Sequence, residues 1–445
     1  MHQLLGDEAS DFFGALSIRQ PVSVRVNPLK KHAYTPENVD RVVWCRYGMY
    51  LPERPSFTLD PLFHAGTYYV QEASSMFIEQ AVEQLVSEKN GLNILDLCAA
   101  PGGKSTHLLS LFPQSSLLVA NELIRSRANI LSENVAKWGS PNAVVTNSAP
   151  GDFGRLPNFF DVILVDAPCS GEGMFRKDPD AVGEWSEANV VLCAERQREI
   201  LSDIWSSLKE GGLLIYSTCT YNTKENEENA VWLKESFGAQ PQRLLLKTEW
   251  GVTETETAGC YGYRFFPHKV KGEGFFLAAF RKDGSVPGAR TTGSKMAKKT
   301  LLSPLPKSFD NIRRLVQLPD EYTFGLFNEK VKALPAEKQI VIEQVERNLR
   351  IVSSGLLLGE IKGKDFIPSP SAALSLTLNR NCFPTVEVDS DTAISYLKRQ
   401  PVTVSSDTPK GFVLVCYNNV PLGWLKNLGS RTNNLYPAEW RIRMS

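Results

Sequence analysis

The sequence predicts an α/β fold built around a doubly wound, mostly parallel sheet. Between Asn93 and Glu228, short apolar runs alternate with segments of helical periodicity, which is the pattern of strands and helices in such a sheet. A tight glycine-containing turn follows the first run, as it often does where a nucleotide binds. From Ile351 onward, short β-rich runs replace the alternation and predict a separate small β domain.

The segment before the sheet contains one clear strand pattern and one clear helix pattern. Residues 21–28 alternate apolar and polar side chains and predict a half-buried strand. This segment is surrounded by four basic residues, Arg19, Arg25, Lys30 and Lys31. Their charges fit either a solvated strand edge or a face that contacts phosphates. Residues 68–72 then lead into a helix with one apolar face, formed by Met76, Phe77, Ala81, Val82 and Leu85.

Five buried strands are predicted for the sheet itself: residues 94–97, 117–120, 143–146, 162–165 and 213–216. A helix is predicted over residues 125–138, and a longer one over 187–209 that ends at Gly211 and Gly212. The sheet is expected to close near residues 275–280. A Gly- and Ser-containing run, 281–300, with six Lys or Arg and one acid, predicts a basic linker, and residues 321–349 have a mostly helical pattern.

Composition narrows the classes of protein. The formal net charge is zero, so a nucleic-acid surface would have to come from local basic patches. The eight cysteines are scattered without a C-x-x-C pair, which disfavours a metal site or a disulfide framework. The first 16 residues lack the pattern of a secretory signal, and no apolar run approaches the length of a membrane span. A reduced, cytoplasmic protein with no membrane contact is therefore expected.

The glycine turn, residues 98–106, has two interpretations. Gly103-Lys104-Ser105 suggests a phosphate-binding P-loop, but the glycine required five positions earlier is replaced by Cys98. The alternative is an adenosine-containing ligand at the first strand-to-helix turn, where Gly102 and Gly103 allow close approach of the backbone. Glu122 lies twenty residues beyond Gly102, at the position where an acidic side chain commonly binds ribose hydroxyls; otherwise it is a solvated strand end.

Two cysteines stand out from the other six. Cys169 follows the fourth predicted strand, three residues after Asp166, and Cys219 follows the fifth. These strands are neighbours in a doubly wound sheet, so both thiols are expected at one crevice. A single cysteine is more often a small buried apolar residue, as we expect for Cys98, Cys193, Cys260 and Cys416. A thiol needs positive charge or a base to attack, and Lys104 can supply that charge.

In combination these motifs resemble the NOP2/Sun family of RNA 5-methylcytosine methyltransferases. The chain has LDLCAAPGGK, NE at residues 121–122, DAPCSGEG and STCTY in order at the predicted strand ends. RVNPL looks like the family's N-terminal RNA-binding segment, and YGYRFFPHKVKGEGFFLAAFRK with the terminal β domain looks like the RsmF-type branch. The resemblance implies four regions in chain order. An N-terminal α/β RNA-binding segment at 1–70 precedes a Rossmann-like methyltransferase sheet at 71–282. A basic linker at 283–302 then leads to a helical connector with a PUA-like RNA-binding domain at 303–445.

The resemblance also assigns roles to residues. It implies that S-adenosyl-L-methionine is held by Cys98, Ala99, Ala100, Pro101, Gly102, Gly103 and Lys104. Glu122 would bind the ribose, and Asp166 would approach both the target base and the cofactor. Cys219 would attack carbon 6 of the cytosine, activating carbon 5, and Cys169 would help to release the methylated product. One position departs from the family, because Ala149 occupies the place of an aspartate near the adenine, with Asp152 close by.

The expected function is thus methylation of cytosine in RNA, with small-subunit ribosomal RNA or the small subunit as partner, by a monomer that needs no metal. Two alternatives remain open. One is a DNA cytosine-5 methyltransferase that attacks with Cys169, since that class uses a Pro-Cys motif; the Thr-Cys-Thr around Cys219 argues against it. The other is a ribosome-assembly factor that binds RNA without catalysis, for which the departure at Ala149 leaves room.

Overall fold

A computed structural model describes residues 1–30, 34, 36–37, 39–177, 180–283 and 302–444 of the protein. The predicted basic linker therefore lies almost entirely outside the described residues. The N-terminal region comprises α1 (His2–Leu5), α2 (Ala9–Leu16), β1 (Val22–Val26), β2 (Asp40–Arg41), β3 (Gly48–Leu51), α3 (Pro61–His64) and β4 (Tyr68–Val70). Its four strands form an antiparallel sheet in the order β2-β3-β1-β4.

Strand β1 is buried along its whole length, so neither sequence interpretation of its basic residues holds for Arg25. The Arg25 guanidinium donates to the Gln71 side chain at 2.8 Å and to the Thr106 hydroxyl at 2.7 Å, and it lies 4.6 Å from the centre of the Trp138 ring. Burial lowers its pKa to about 10. Arg25 thus anchors the first turn of the helix after the glycine turn and is not exposed to bind phosphate.

The central region alternates strands and helices as the sequence predicts. Its elements are α4 (Ile78–Leu85), β5 (Asn93–Asp96), α5 (Gly103–Leu111), β6 (Leu117–Asn121), α6 (Arg125–Trp138), β7 (Ala143–Thr146), β8 (Phe160–Asp166), α7 (Asp180–Glu184), α8 (Glu187–Trp205), β9 (Leu208–Thr218) and α9 (Glu227–Phe237). Strands β5 to β9 are parallel in the order β7-β6-β5-β8-β9. The fourth and fifth strands are therefore neighbours.

Helices cover both faces of this sheet, as its doubly wound topology requires. Apolar residues of α4, α5 and α6 pack on one face and those of α8 and α9 on the other. Helix α8 ends at Trp205, before the predicted end at Lys209, because strand β9 begins at Leu208 and includes Gly211 and Gly212. Among the described residues, no helix has the length and apolar character needed to cross a membrane.

Antiparallel strands extend the sheet beyond β9. They are β10 (Gln240–Gln242), β11 (Thr253–Thr257), β12 (Cys260–Phe265) and β13 (Phe275–Arg281). Strand β13 pairs with β9 and with β12, and β11 forms the edge. The predicted closing segment at 275–280 is therefore a central strand of a mixed ten-stranded sheet.

The C-terminal region differs from its predicted organisation. It contains β14 (Ser303–Pro304), β15 (Tyr322–Phe327), β16 (Lys330–Pro335), α10 (Gln339–Asn348), β17 (Ile351–Ser354), β18 (Leu356–Lys362), β19 (Asp365–Pro368), α11 (Pro370–Leu374), β20 (Thr385–Glu387), α12 (Ser390–Leu397), β21 (Gly411–Tyr417), β22 (Val420–Asn427) and β23 (Thr432–Asn434). The mostly helical segment expected at 321–349 begins with a hairpin of β15 and β16. Asn328 and Glu329 both have positive φ at its turn, which suits a two-residue hairpin.

Part of this region completes the central sheet. Strand β17 pairs antiparallel with β7, and α10 places Ile342 and Val345 in the core on the face covered by α8 and α9. The Lys338 ammonium also donates to the Asn93 side chain at 3.0 Å, at the start of β5. The remaining strands form two smaller sheets, in the orders β14-β15-β16-β18-β19 and β20-β21-β22-β23.

One buried ammonium joins all three regions. Lys30 Nζ donates to the backbone carbonyls of Ala65 at 2.9 Å, Lys137 at 2.8 Å and Leu374 at 3.0 Å. Lys137 and Leu374 lie in the last turns of α6 and α11, and Ala65 follows α3. Carbonyls at helix ends lack partners within their own helix, and here one side chain supplies the donor to each.

Candidate active site

The candidate site lies at the carboxyl ends of the parallel strands, where ligands bind in open α/β sheets. Asp96, Asn121 and Asp166 end β5, β6 and β8, and Cys219 directly follows β9. The Asn121 amide donates to the carbonyls of Leu97 at 3.1 Å and Ser148 at 3.0 Å. It thereby fixes the ends of three neighbouring strands relative to one another.

The structure brings the two predicted thiols together. Cys169 Sγ and Cys219 Sγ are 3.1 Å apart, and the Cys219 backbone N–H points at Cys169 Sγ from 3.4 Å. The hydrogen bond between the thiols lowers the pKa of Cys219; burial and the Asp166 carboxylate oppose this effect, and the charge of Lys104 adds to it. The same hydrogen bond, together with burial, raises the pKa of Cys169 well above its usual value. Of the two thiols, Cys219 is therefore the one whose pKa the pairing lowers, with Cys169 Sγ within hydrogen-bond distance of its sulfur.

Lys104 and Asp166 form an ion pair beside the thiols. Lys104 Nζ donates to Asp166 Oδ2 at 2.7 Å, and the Ser217 hydroxyl donates to Oδ1 at 2.8 Å. Burial opposes a charged Lys104, but the adjacent Asp166 carboxylate outweighs it and raises the lysine pKa. Both carboxylate oxygens of Asp166 thus accept hydrogen bonds, one from Lys104 and one from Ser217.

The glycine turn joins β5 to α5. Gly102 has φ +119°, a backbone conformation that favours glycine, and a Cβ there would lie 3.3 Å from Leu131 Cδ1. Gly103 begins α5 without a side-chain cap, which leaves its first N–H groups free to bind a ligand. Backbone hydrogen bonds hold the rest of the turn: the Ala99 N–H bonds to Asn121, the Ala100 carbonyl to Arg127 and the Pro101 carbonyl to Asn134. Burial raises the pKa of Cys98 above its usual range.

The charges of this crevice fit a cationic cofactor. Glu122 is buried; it accepts a hydrogen bond from the Ile124 N–H at 2.9 Å and lies 3.5 Å from the Arg127 guanidinium. Burial raises the pKa of Asp96 to about 7, and its Oδ1 accepts no hydrogen bond from any described residue. Three carboxyl groups, those of Asp96, Glu122 and Asp166, thus surround the glycine turn. They suit S-adenosylmethionine, which carries a sulfonium and an ammonium group.

The loop after β7 contains Ala149, which occupies the place of the family's aspartate, and the nearby Asp152. The Asp152 carboxylate accepts the Ala149 N–H at 3.1 Å and pairs with Arg155 at 3.2 Å, so it is engaged within its own turn. The same loop is held by the C-terminal region: the Asn147 N–H donates to the Arg350 carbonyl at 2.8 Å, and the Arg350 N–H donates to the Ser148 hydroxyl at 2.9 Å.

Glu225 belongs to the site although no pattern in the sequence predicts a role for it there. Its carboxylate is completely buried and accepts hydrogen bonds from the Ser170 N–H at 3.0 Å, from Gln197 at 2.7 Å and from Asn222 at 2.7 Å. Ser170 adjoins Cys169, and Asn222 lies three residues after Cys219. Glu225 therefore ties together the two loops that carry the thiols. Its position six residues after Cys219 gives no sign of this in the sequence.

A second buried cluster lies behind α5. Cys45, Glu79 and His107 are the described residues whose spacing would allow them to hold a metal ion. The His107 ring bonds to the Glu79 carboxylate at 2.9 Å, which also accepts the Arg46 N–H at 2.8 Å. Burial lowers the pKa of His107 to about 4, so the ring is neutral. Because the carboxylate already has its donors, we interpret the cluster as a hydrogen-bonded link between α4 and α5.

Comparison with known proteins agrees with this fold. The sequence model of the 16S rRNA methyltransferase RsmB/F family matches residues 83–281, that of the N-terminal domain of 16S rRNA methyltransferase RsmF matches 1–73, and that of the methyltransferase RsmF PUA domain matches 383–442. Ribosomal RNA small subunit methyltransferase F of Erwinia tasmaniensis is 31% identical over 99% of this chain and 95% of its own. The protein of the same name from Shewanella loihica is 32% identical over 94% and 88%.

Solved structures show the same architecture. A methyltransferase homolog protein from Pyrococcus horikoshii has 30% identity and a TM-score of 0.52 over 63% of this chain and 92% of its own. NSun6 from the same organism, with SFG, has 21% identity and a TM-score of 0.51 over 63% and 96%, and it supports the fold alone.

Fold and site therefore define a Rossmann-like, S-adenosylmethionine-dependent methyltransferase. The chain belongs to the RsmB/F family of 16S rRNA methyltransferases, in its RsmF branch. This confirms the predicted fold class, cofactor and RNA methyltransferase activity, and the cytosine-5 chemistry is consistent with the family. None of the comparisons favours the DNA methyltransferase or the non-catalytic assembly factor.

Proposed function

We propose that this protein methylates carbon 5 of a cytosine in small-subunit ribosomal RNA, with Cys219 as nucleophile and Cys169 as the group that assists product release. The observation that carries the assignment is the pair of thiols 3.1 Å apart, in which one pKa is lowered and the other raised. A thiolate is the attacking form of cysteine, so the thiol with the lowered pKa is the better nucleophile.

Addition of the Cys219 thiolate to carbon 6 of the ring makes carbon 5 nucleophilic. When bound, S-adenosylmethionine supplies an electrophilic methyl group. When the thiolate adds to carbon 6, ring nitrogen 3 gains electron density. The Lys104–Asp166 ion pair holds a proton that this nitrogen can share through Asp166. Asp166 accepts hydrogen bonds at both oxygens, so in this proposal the proton comes from Lys104. Ser217 and Lys104 thus orient the carboxylate.

Release requires loss of the carbon 5 proton and expulsion of Cys219 Sγ from carbon 6. Cys169 lies against the departing sulfur and can exchange a proton at the adduct. Glu225 acts as a positioning residue for both loops. For the cofactor, we propose residues 98–104 at the methionine end and Glu122 at the ribose, with the backbone of residues 146–150 at the adenine because Asp152 is engaged within its own turn.

We further propose that the protein acts as a cytoplasmic monomer without membrane contact. Residues 1–70 and the PUA-like region within 303–445 would bind RNA on either side of the catalytic region at 71–282. The target base must leave its stack to reach the crevice, which costs a few kcal/mol unless it is unpaired. Phosphate contacts would make the affinity for RNA fall as salt rises.

The test incubates the protein with labelled cofactor and ribosomal RNA from cells that lack it. We expect 5-methylcytosine with the wild type and with the control Cys193→Ala, and a rate at least about three orders of magnitude lower with Cys219→Ala. Cys169→Ala should accumulate a covalent RNA–protein adduct on a denaturing gel. Full activity of Cys219→Ala, or an adduct in that variant instead, would refute the assignment.

Two further measurements separate the alternatives. Labelled duplex DNA offered beside the RNA should remain unmethylated, and methylation of the DNA alone would favour the DNA methyltransferase. Calorimetry should detect binding of S-adenosylmethionine to the wild type. If neither cofactor binding nor methylation occurs while the RNA still binds, the protein is an assembly factor.

A further inference from the structure

The side-chain amide of Gln197 joins several elements directly behind the thiols. Gln197 lies in α8 and is completely buried. Its Nε2 donates to the Pro168 carbonyl at 3.0 Å and to the Glu225 carboxylate at 2.7 Å. Its Oε1 accepts hydrogen bonds from the Asn229 amide at 2.8 Å and from the Tyr216 hydroxyl at 2.9 Å. Both N–H donors of the amide and both acceptor positions are therefore in use.

Two of these partners belong to regular structure, and one belongs to a loop that carries a thiol. Tyr216 lies in β9, which pairs with β8 on one side and with β13 on the other, and Asn229 lies in the first turn of α9. Pro168 lies in the loop after β8, directly before Cys169. Loops move more readily than paired strands do, so Gln197 fixes the carbonyl that precedes Cys169 relative to the sheet.

The loop that carries Cys219 has supports of its own. The Thr218 hydroxyl donates to Asn226 Oδ1 at 2.6 Å, and the Asn226 amide donates to the Thr220 carbonyl at 3.0 Å. Neither of these hydrogen bonds involves Gln197. A change at Gln197 is therefore expected to loosen the loop after β8 while the nucleophile keeps its position.

We propose that Gln197 is a positioning residue for the release step of the reaction. By fixing the Pro168 carbonyl, Gln197 holds Cys169 within hydrogen-bond distance of Cys219 Sγ, the sulfur that must leave carbon 6. Attack on the base does not require this hold. The role differs from that of Glu225, which contacts both loops, and the inference rests on the proposed function of Cys169 in product release.

The test replaces Gln197 by methionine, which has a similar length and no N–H donor. With labelled cofactor and ribosomal RNA, we expect the first methyl transfer, measured by rapid quenching, to stay within about 2-fold of wild type while turnover falls about 10-fold, the effect expected for loss of a buried hydrogen bond. The fraction of protein trapped as an RNA adduct on a denaturing gel should rise, as in Cys169→Ala. Calorimetry should show unchanged binding of S-adenosylmethionine.

A second variant covers the case in which the methionine variant does not fold. Gln197→Glu keeps the shape of the side chain but has at most one proton to offer the two acceptors that the amide serves, so it should trap adduct as well. Ser207→Ala is the matched control, because the Ser207 hydroxyl is also completely buried and donates to the Phe153 carbonyl at 2.7 Å, at the opposite end of β9 from Cys219. It should lower the stability to urea and trap no adduct.

Two outcomes would overturn the inference. If the Gln197 variants slow the first methyl transfer as much as turnover, or trap no more adduct than Ser207→Ala while Cys169→Ala does trap it, Gln197 stabilises the fold alone. If Cys169→Ala itself traps no adduct, the release function of Cys169 is wrong and the role of Gln197 fails with it.

Discussion

Replacement of Lys30 by methionine tests how the three regions of the chain are held together. The Lys30 ammonium is the donor to carbonyls that follow or end α3, α6 and α11. Methionine keeps the aliphatic stem but donates nothing, so three buried carbonyls lose this donor. A buried group left without a partner costs about 1–3 kcal/mol, which sums to roughly 3–9 kcal/mol for three such groups.

An opposing term reduces this loss. Burial lowers the pKa of Lys30 to about 7, which shows that holding an ammonium here is itself costly, and methionine removes that cost. Lowering the pKa from 10.5 to about 7 corresponds to roughly 5 kcal/mol, so we expect a net loss of about 1 kcal/mol at the middle of the carbonyl range and of at most about 4 kcal/mol. The upper value is a substantial fraction of the roughly 5–15 kcal/mol of a typical domain.

The assay is urea unfolding of the full chain at pH 6, where Lys30 is charged in the folded state, followed by tryptophan fluorescence and far-ultraviolet circular dichroism. Lys364→Met is the control, because Lys364 is exposed on the C-terminal region, and it should shift stability by less than about 0.5 kcal/mol. If the free energy of unfolding of Lys30→Met lies within about 0.5 kcal/mol of the wild-type value, the three hydrogen bonds do not hold the regions together.

Two other predictions follow from buried groups of the sheet. Burial raises the pKa of Asp96 to about 7, so between about pH 4 and pH 7 the folded chain holds a proton that the unfolded chain has lost. The free energy of unfolding should therefore fall as pH rises through this window. Urea titrations at several pH values should show this slope for the wild type and a flatter slope for Asp96→Asn. A chain that ends at Lys282 lacks α10 and β17, so it should lose cooperative unfolding and bind an apolar dye, whereas an intact transition would show that the sheet needs neither element.

The sequence was sufficient to predict the central sheet because its strands are short apolar runs with glycine turns or charged residues at their ends. Asp166, Cys169 and Cys219 could be placed at one crevice from strand order alone, and the structure brings them together as expected. Which thiol attacks could not be read from that order, since it depends on the hydrogen bond between the sulfurs and on the position of Lys104. The assignment came from resemblance, and the geometry adds a physical reason for it.

Sequence patterns could not predict which polar side chains are buried. Arg25 lies on an alternating segment and has the appearance of a surface residue, yet it is buried because Gln71, Thr106 and Trp138, all distant in sequence, surround its guanidinium. The burial of the Glu225 carboxylate could not be predicted from the sequence for the same reason. The hairpin of β15 and β16 differs from the predicted helical pattern for another reason: residues 322–327 alternate as a strand does, and Asn328 and Glu329 have the positive φ of a two-residue turn.

The C-terminal region is in direct contact with a loop of the catalytic region. Strand β17 lies beside β7, and the backbone of Arg350, just before it, donates to and accepts from the loop at residues 146–150. In the proposed site this loop faces the adenine. The backbone that would hold the adenine is thus hydrogen-bonded to a region whose later part matches the methyltransferase RsmF PUA domain.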